Sequence, residues 1–143
     1  MSEHLTNIVV CALIERDGKL FVAKRADTKA SWPGRYEIVG GHVDPGESLE
    51  EALRRELREE IGVEVEIGRI VDAFTYHSGD ENVFKVEICY LCHLPKGIEP
   101  TLNPEDHSEA RWITEEELPL TEKEDEETEA IRKAFNILKG ETK

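Results

Sequence analysis

The chain has 143 residues, enough for one domain over 1–143 with a core of its own, and sets 32 acidic against 18 basic side chains for a formal charge of -14. That balance excludes a nucleic-acid backbone or an anionic membrane as the main partner, and an anionic substrate would need metal ions and a few local cations to draw it in. No apolar run approaches the roughly 18 residues of a membrane span and no basic segment leads into one, so the expected location is the cytoplasm.

From the N-terminus, Ile8 to Ile14 is a continuous apolar run, as in a strand covered on both faces. Asp17-Gly18 is a two-residue hairpin signal, and Leu20 to Ala23 supplies the return strand. Asp27 to Pro33 reads as a loop closed by the Pro33-Gly34 turn, and Tyr36 to Val39 as a short strand ending at Gly40-Gly41. Ser48 with Glu51 forms a capping box, so a helix begins at Leu49, and Gly62 ends it. Beyond it Val63, Val65 and Ile67 alternate with Glu64 and Glu66, and the strand pattern resumes through Phe74 and Tyr76. Ser78 to Asn82 turns into a long strand, Val83 to Leu94. Pro95 to Pro104 is a loop, Glu105 to Glu109 an acidic segment, and Arg111-Trp112-Ile113 a short strand. Thr114 with Glu117 caps a short turn of helix, and Thr121 with Glu124 opens a final helix to about Leu138 with Ile131, Phe135 and Leu138 inward. Strands around one internal helix, with a second helix at the end, specify a mixed α/β domain.

The three cysteines include a C-x-x-C at Cys89 and Cys92. Strand alternation through Phe84, Val86, Ile88, Tyr90 and Cys92 sends Cys89 to the opposite face, and no second C-x-x-C completes a zinc knuckle, so the thiols are expected to be structural.

The helix from Leu49 places its charges unusually. Leu49, Ala52, Leu53, Leu57 and Ile61 gather on one half at about 100° per residue. Glu56 and Glu60 fall inside that half and Glu59 lies at its edge. Two carboxylates one turn apart repel, more so when partly buried, and call for a positive group between them. With no Cys or His at hand, the all-oxygen set favours a hard cation, Mg²⁺ or Mn²⁺. A solvated acidic helix face is the plain alternative.

The segment Gly41 to Val63, GHVDPGESLEEALRRELREEIGV, spaces Gly41, Glu47, Arg55-Glu56-Leu57, Glu59-Glu60 and Gly62-Val63 as the Nudix box does. On these residues the chain resembles the Nudix hydrolase family and its MutT-like branch. The resemblance implies a Nudix-type α/β/α sandwich with a mixed sheet and a catalytic loop-helix-loop. It further implies Glu56, Glu59 and Glu60 as metal ligands with the Gly40 carbonyl as a fourth, and Glu56 as base or water-orienting group. Arg55 would pair with Glu47 and tie the loop to the helix, where the plain alternative is an i±4 pair with Glu51 or Glu59. The glycine pair, Gly41 included, lets backbone approach a metal or phosphate.

Outside the box the candidates are weaker. A further carboxylate often completes such a site, and Glu105, Asp106 and Glu109 are available; Glu109 is selected. Lys24 and Arg25 leave the second strand as nearby cations for a phosphate, with an exposed strand end as an equal alternative. Phe74, Tyr76 and Trp32 are aromatics able to stack on a base, with a place in the core as the alternative. His42 sits in the box loop at a variable position, and His77 and His107 carry no distinguishing signal.

The expected activity is Mg²⁺-dependent hydrolysis of a phosphoanhydride in a nucleoside diphosphate derivative. A nucleoside triphosphate, ordinary or oxidised, cut to monophosphate and pyrophosphate is the leading case. ADP-ribose or a nucleotide sugar is the alternative, weakened because Ser78 stands near where ADP-ribose members carry Pro. A nucleotide-sensing module without catalysis is the rival from another class, and it would be expected to lose a box carboxylate. The expected partner is a small-molecule nucleotide, with no nucleic acid or membrane and room for a homodimer.

Overall fold

The structure, a computed structural model, describes residues 5–29, 33–78, 80–121 and 126–140. Strand β1 (Leu5–Arg16) is its axis, buried without a break from Val10 to Ile14, which is why that stretch reads as continuously apolar. Asp17 and Gly18 both take positive φ, 55° and 79°, as a two-residue hairpin turn with the right twist requires. They return the chain as β2 (Lys19–Arg25).

β1 and β2 are paired only at Glu15–Leu20 and Arg16–Lys19, and beyond the turn they separate. β2 then pairs with β3 (Tyr36–Glu37) and with β7 (His107–Ile113). The vacated edge of β1 is taken by β4 (Val39–His42), from Val9–His42 to Ala12–Val39. On its other side β1 runs parallel to β6 (Asp80–His93), which is antiparallel to β5 (Glu66–Ser78). The result is a mixed seven-stranded sheet with β3-β2-β1-β6-β5 in order. The divergence of β1 from β2 opens the sheet where the box loop begins.

Each face of the sheet is covered by one helix. Helix α1 (Leu49–Ile61) packs Ala52, Leu53, Leu57 and Ile61 against Val10, Ala12, Ile14, Phe21 and Tyr90. Leu53 and Leu57 are fully buried, so truncation of either to Ala would cost about 2–5 kcal/mol. On the opposite face α2 (Glu126–Leu138) packs Ala130, Ile131, Ala134 and Phe135 with Leu13, Leu20, Val22, Ile38 and Cys89. The expected α/β/α layering is therefore present. Cys89 and Cys92 lie in opposite layers as the alternation required, and Cys11, Cys89 and Cys92 are free buried thiols.

Several boundaries differ from the sequence reading, among them the Tyr36 to Val39 strand, which divides into β3 and β4, and the Ser78 to Asn82 turn, which β6 enters at Asp80. Val63 and Val65 are buried under α1 but belong to the connection, and β5 starts only at Glu66. β7 begins at His107, inside the segment read as an acidic loop, because backbone pairing to β2 accepts charged side chains on an outer position. The final helix is described over Glu126–Leu138, after a 3₁₀ helix at Glu115–Thr121, and its opening at the third capping box lies outside the described residues. Of the second box only the return half is present: the Glu117 carboxylate accepts from the Thr114 N–H (2.9 Å) and hydroxyl (3.1 Å), while the Glu117 N–H donates to the Thr114 carbonyl at 3.0 Å.

Candidate active site

The loop from Gly40 to Ser48 is fixed at both ends by interactions its sequence announces. At the helix start the Ser48 hydroxyl accepts the Glu51 N–H at 3.1 Å and the Glu51 carboxylate accepts the Ser48 N–H at 2.8 Å. At the other end Gly40 lies flat on β1, where a Cβ would overlap the Val10 carbonyl oxygen and the Cys11 Cα. A Cβ on Gly41 would instead occupy the carboxyl group of Glu56. The two glycines thus do different work, one seating the strand and the other making room for an acid.

Arg55 ties this loop to α1. Its Nε and Nη2 donate to the two oxygens of Glu47 at 2.7 and 2.9 Å, and Nη2 also donates to the His42 carbonyl at 2.9 Å. Glu47 in turn accepts the Asp44 N–H at 2.9 Å. These donors, the Arg55 guanidinium first, pull the Glu47 carboxyl down to about 2. The i+4 contact from Arg55 Nη1 to Glu59 exists too but is longer, 3.4 Å. The bidentate pair is therefore the main one.

Nη1 of Arg55 also donates to Glu56 at 2.9 Å, on the inner side of the helix. One turn on, Glu60 faces the same space. Burial, followed by the neighbouring charges of Glu56, Asp106 and Glu37, pushes the Glu60 carboxyl up to about 9. Burial is also the largest influence on Glu56, and it raises that group despite Arg55. The pair is a partly desolvated site of excess negative charge built only from oxygen, and the donor set fits a hard divalent cation. Glu59 lies apart from this space, its side chain 59 % exposed.

Glu56, Glu60, Gly40, Gly41 and His42 form one wall of a cleft of about 1050 Å³. Arg25, Lys29, Arg35, Glu37, Asp106 and His107 line another side, and Phe74, Tyr76, His77, Lys85 and Glu87 a third, with Glu127 at the base of α2. Of the residues expected to bind substrate, Arg25, Gly41, Phe74 and Tyr76 therefore face the cleft. The Phe74 and Tyr76 rings are 6.1 Å apart and tilted by 38°.

Lys24 and Glu109 do not line it. They sit opposite each other in the β2–β7 ladder, and Glu109 accepts a hydrogen bond from the Tyr36 hydroxyl. Alternation puts Lys24 on the α2 side with Val22, and a bulge after Lys24 then pairs Arg25 with His107. Among the acids of that segment Asp106 is the one on the cleft, held by Lys29 at 2.9 Å. Trp32 lies outside the described residues.

Sequence reasoning missed Glu37, Glu87, Glu127, Lys85 and His107. The signal for Glu87 was present: it is an acid on the inward-facing side of β6, together with Cys89, as out of place as Glu56 is on α1. His107 is buried with Nε2 on Glu37 at 3.0 Å, a role that no local pattern announces. Lys85 Nζ is 2.9 Å from His42 Nε2, and burial lowers both groups. That pair presents hydrogen-bond donors at the mouth of the cleft, next to the box loop.

The chain matches the model of the NUDIX domain over residues 4–134. It is similar to the nucleoside triphosphatase NudI of Escherichia coli (strain K12), with 34 % identity over 119 residues, 77 % of this chain and 83 % of that protein. For NudI of Salmonella newport (strain SL254) the identity is 35 % over 121 residues, 78 % and 84 % of the two chains. In fold it resembles the crystal structure of a MutT NUDIX hydrolase from Burkholderia pseudomallei, with a TM-score of 0.73, 27 % identity, and coverage of 93 % and 98 %. With the box geometry intact and the family matched along most of its length, the chain belongs to the Nudix hydrolases, as a MutT-like pyrophosphohydrolase.

Proposed function

We propose that this enzyme hydrolyses a nucleoside triphosphate to the monophosphate and pyrophosphate, with Mg²⁺ as the metal and Mn²⁺ as a substitute. The observation that carries this reading is the Glu56–Glu60 pair, a desolvated all-oxygen pocket on a rigid helix beside the Gly40-Gly41 turn. Relatives described as nucleoside triphosphatases support the substrate class, as does a cleft of about 1050 Å³, ample for a nucleotide.

Glu56 and Glu60 would hold the ion with the Gly40 carbonyl, and Glu59 would join them by swinging in from solvent. When bound, the ion supplies charge cancellation on the phosphate oxygens and lowers the pKa of a coordinated water. Glu56, steadied by Arg55 at 2.9 Å, orients the attacking water and takes its proton. Arg55 also keeps the loop on the helix through Glu47, so that the Gly40 carbonyl and the carboxylates stay in register. Lys85 and Arg25 face the phosphates from two walls, and Phe74 with Tyr76 offers a face to the base. Asp106 takes the place first assigned to Glu109 as the carboxylate from outside the box.

The test is a panel of nucleoside triphosphates, ADP-ribose and nucleotide sugars, each with Mg²⁺ or with chelator, run in heavy-oxygen water with mass analysis of products. Release of monophosphate and pyrophosphate from triphosphates, only with metal, supports the proposal. Preference for ADP-ribose or a sugar nucleotide replaces the substrate, and no turnover of any phosphoanhydride overturns the reading.

A further inference from the structure

Cys11 on β1 and Cys89 on β6 are direct neighbours in the parallel ladder, and their sulfurs are 2.9 Å apart. Glu87 brings a third donor, with its Oε2 at 3.1 Å from the Cys11 sulfur and 3.9 Å from that of Cys89. All three side chains are buried, yet Cys11 and Glu87 form part of the cleft floor. None of the three takes part in the Glu56–Glu60 arrangement.

The geometry points to a second cation site here, for a soft divalent ion of the zinc class held by Cys11, Cys89 and Glu87, with its fourth position open to the cleft. Tetrahedral zinc, with bonds of about 2.3 Å to sulfur and 2.0 Å to oxygen, spaces sulfur and oxygen ligands by about 3.5 Å and two sulfurs by about 3.8 Å. The two observed sulfur–oxygen separations, 3.1 and 3.9 Å, bracket the first value. The sulfurs have to part by about 0.9 Å to reach the second, within reach of small side-chain rotations.

The surroundings favour a cation as well. The other oxygen of Glu87 accepts the Tyr76 hydroxyl at 3.0 Å, which aims Oε2 at the two sulfurs. Burial first, and then Glu87 and Glu127, oppose a bare thiolate on Cys11; on Cys89 the hydrogen bond with Cys11 favours the thiolate, and burial with Glu87, Glu127 and Asp72 outweighs it, so an ion that replaces the protons answers the surrounding negative charge. Oxidation to a disulfide starts from a thiolate and is disfavoured by the same field. Sulfur ligands select against Mg²⁺, so this site and the oxygen site would sort their metals by chemistry. Filled, it would occupy the floor of the cleft and obstruct substrate, making zinc a reversible inhibitor; this last clause alone rests on the proposed function.

The experiment is a titration of the reduced wild-type protein with Co²⁺ without oxygen, followed by its near-ultraviolet absorption. Sulfur ligation gives a charge-transfer band, whereas Co²⁺ on Glu56 and Glu60 gives none. The band should be present in wild type, be displaced by Zn²⁺, vanish in Cys89→Ser and Cys11→Ala, and need a higher Co²⁺ concentration to reach half its height in Glu87→Gln. It should be unchanged in Cys92→Ser, whose sulfur lies in the opposite layer, and in Glu60→Gln. No band in wild type, persistence of the band without Cys89 or Cys11, or its loss with Cys92 overturns the proposal. If Cys89→Ser does not fold, Cys11→Ala gives the same reading, and the wild-type titration decides if neither does. Because the readout needs no substrate, an inactive protein with an intact band would refute the proposed hydrolysis and leave this site standing.

Discussion

Glu47 and Glu60 belong to the same loop-helix unit, and the fold treats their carboxylates in opposite ways. Glu47 receives a bidentate Arg55 and a backbone N–H and is held ionised down to about 2. Glu60 meets burial and three other acids, and holds its proton up to about 9. The first arrangement is complete as it stands and serves as a brace. The second is left with excess negative charge, which is why we propose it as the place where a cation binds.

The largest expected effect strikes the incomplete side. Glu56→Gln preserves shape but removes the charge and the basic oxygen that we propose takes a proton from water, and turnover should fall by roughly 10²–10⁴ with the fold intact by circular dichroism. Unaltered turnover would reduce Glu56 to a bystander.

Adjacent glycines separate scaffold from site in another way. In Gly41→Ala the new methyl group meets the carboxyl end of the Glu56 side chain and not backbone, so the protein should fold and lose activity by roughly 10² as the carboxylate is pushed aside. In Gly40→Ala it meets backbone of β1, so stability should fall by about 1–3 kcal/mol in denaturant melts. Equal behaviour of the two variants would remove the distinction.

On the complete side, Arg55→Ala and Glu47→Ala should each reduce kcat/KM by roughly tenfold to hundredfold, the size of effect seen when a supporting partner is lost. The double variant should lose less than the sum of the two, because either change alone opens the brace. Strictly additive losses would mean that each residue acts on its own.

A smaller effect is set by pH. Glu47, lowered from 4.5 to about 2, contributes stability that is present above pH 4.5 and is lost as the pH falls toward 2. Glu60, raised from 4.5 to about 9, binds its proton more tightly in the fold, so its contribution is present below pH 4.5 and is lost as pH rises toward 9. Melting temperature without metal should therefore decline between those limits less steeply in Glu60→Gln than in wild type. A parallel decline in the two proteins would show that Glu60 titrates normally.

The brace and the pair differ in how well sequence revealed them. Ser48, Glu51 and Gly62 fix the ends of α1 through contacts within a few residues, so the helix and its apolar half were legible, and with them the misplaced Glu56 and Glu60. The Asp17-Gly18 hairpin was legible for the same reason. The rest of the cleft is assembled from distant segments. Glu87 arrives through the parallel pairing of β1 with β6, and Glu127 sits within a run of acids that looks uniformly solvated. Lys24 and Glu109 were misjudged because a one-residue bulge in the β2–β7 ladder decides which neighbours face the cleft, and spacing along the chain does not carry that information. Among the acids of that segment it is Asp106 that reaches the cleft, through a turn whose backbone is tied to Ala26 and Asn103.

The central claim is that Glu56 and Glu60 bind a divalent cation, and melting curves test it most directly. Wild type, Glu56→Gln and Glu60→Gln should be compared in chelator and in millimolar Mg²⁺. In chelator both variants should melt at or above the wild-type temperature, since like-charge repulsion is relieved. With Mg²⁺ the wild type should gain stability through binding to the folded state, and each variant should gain markedly less. The same Mg²⁺ response in all three proteins would contradict the account.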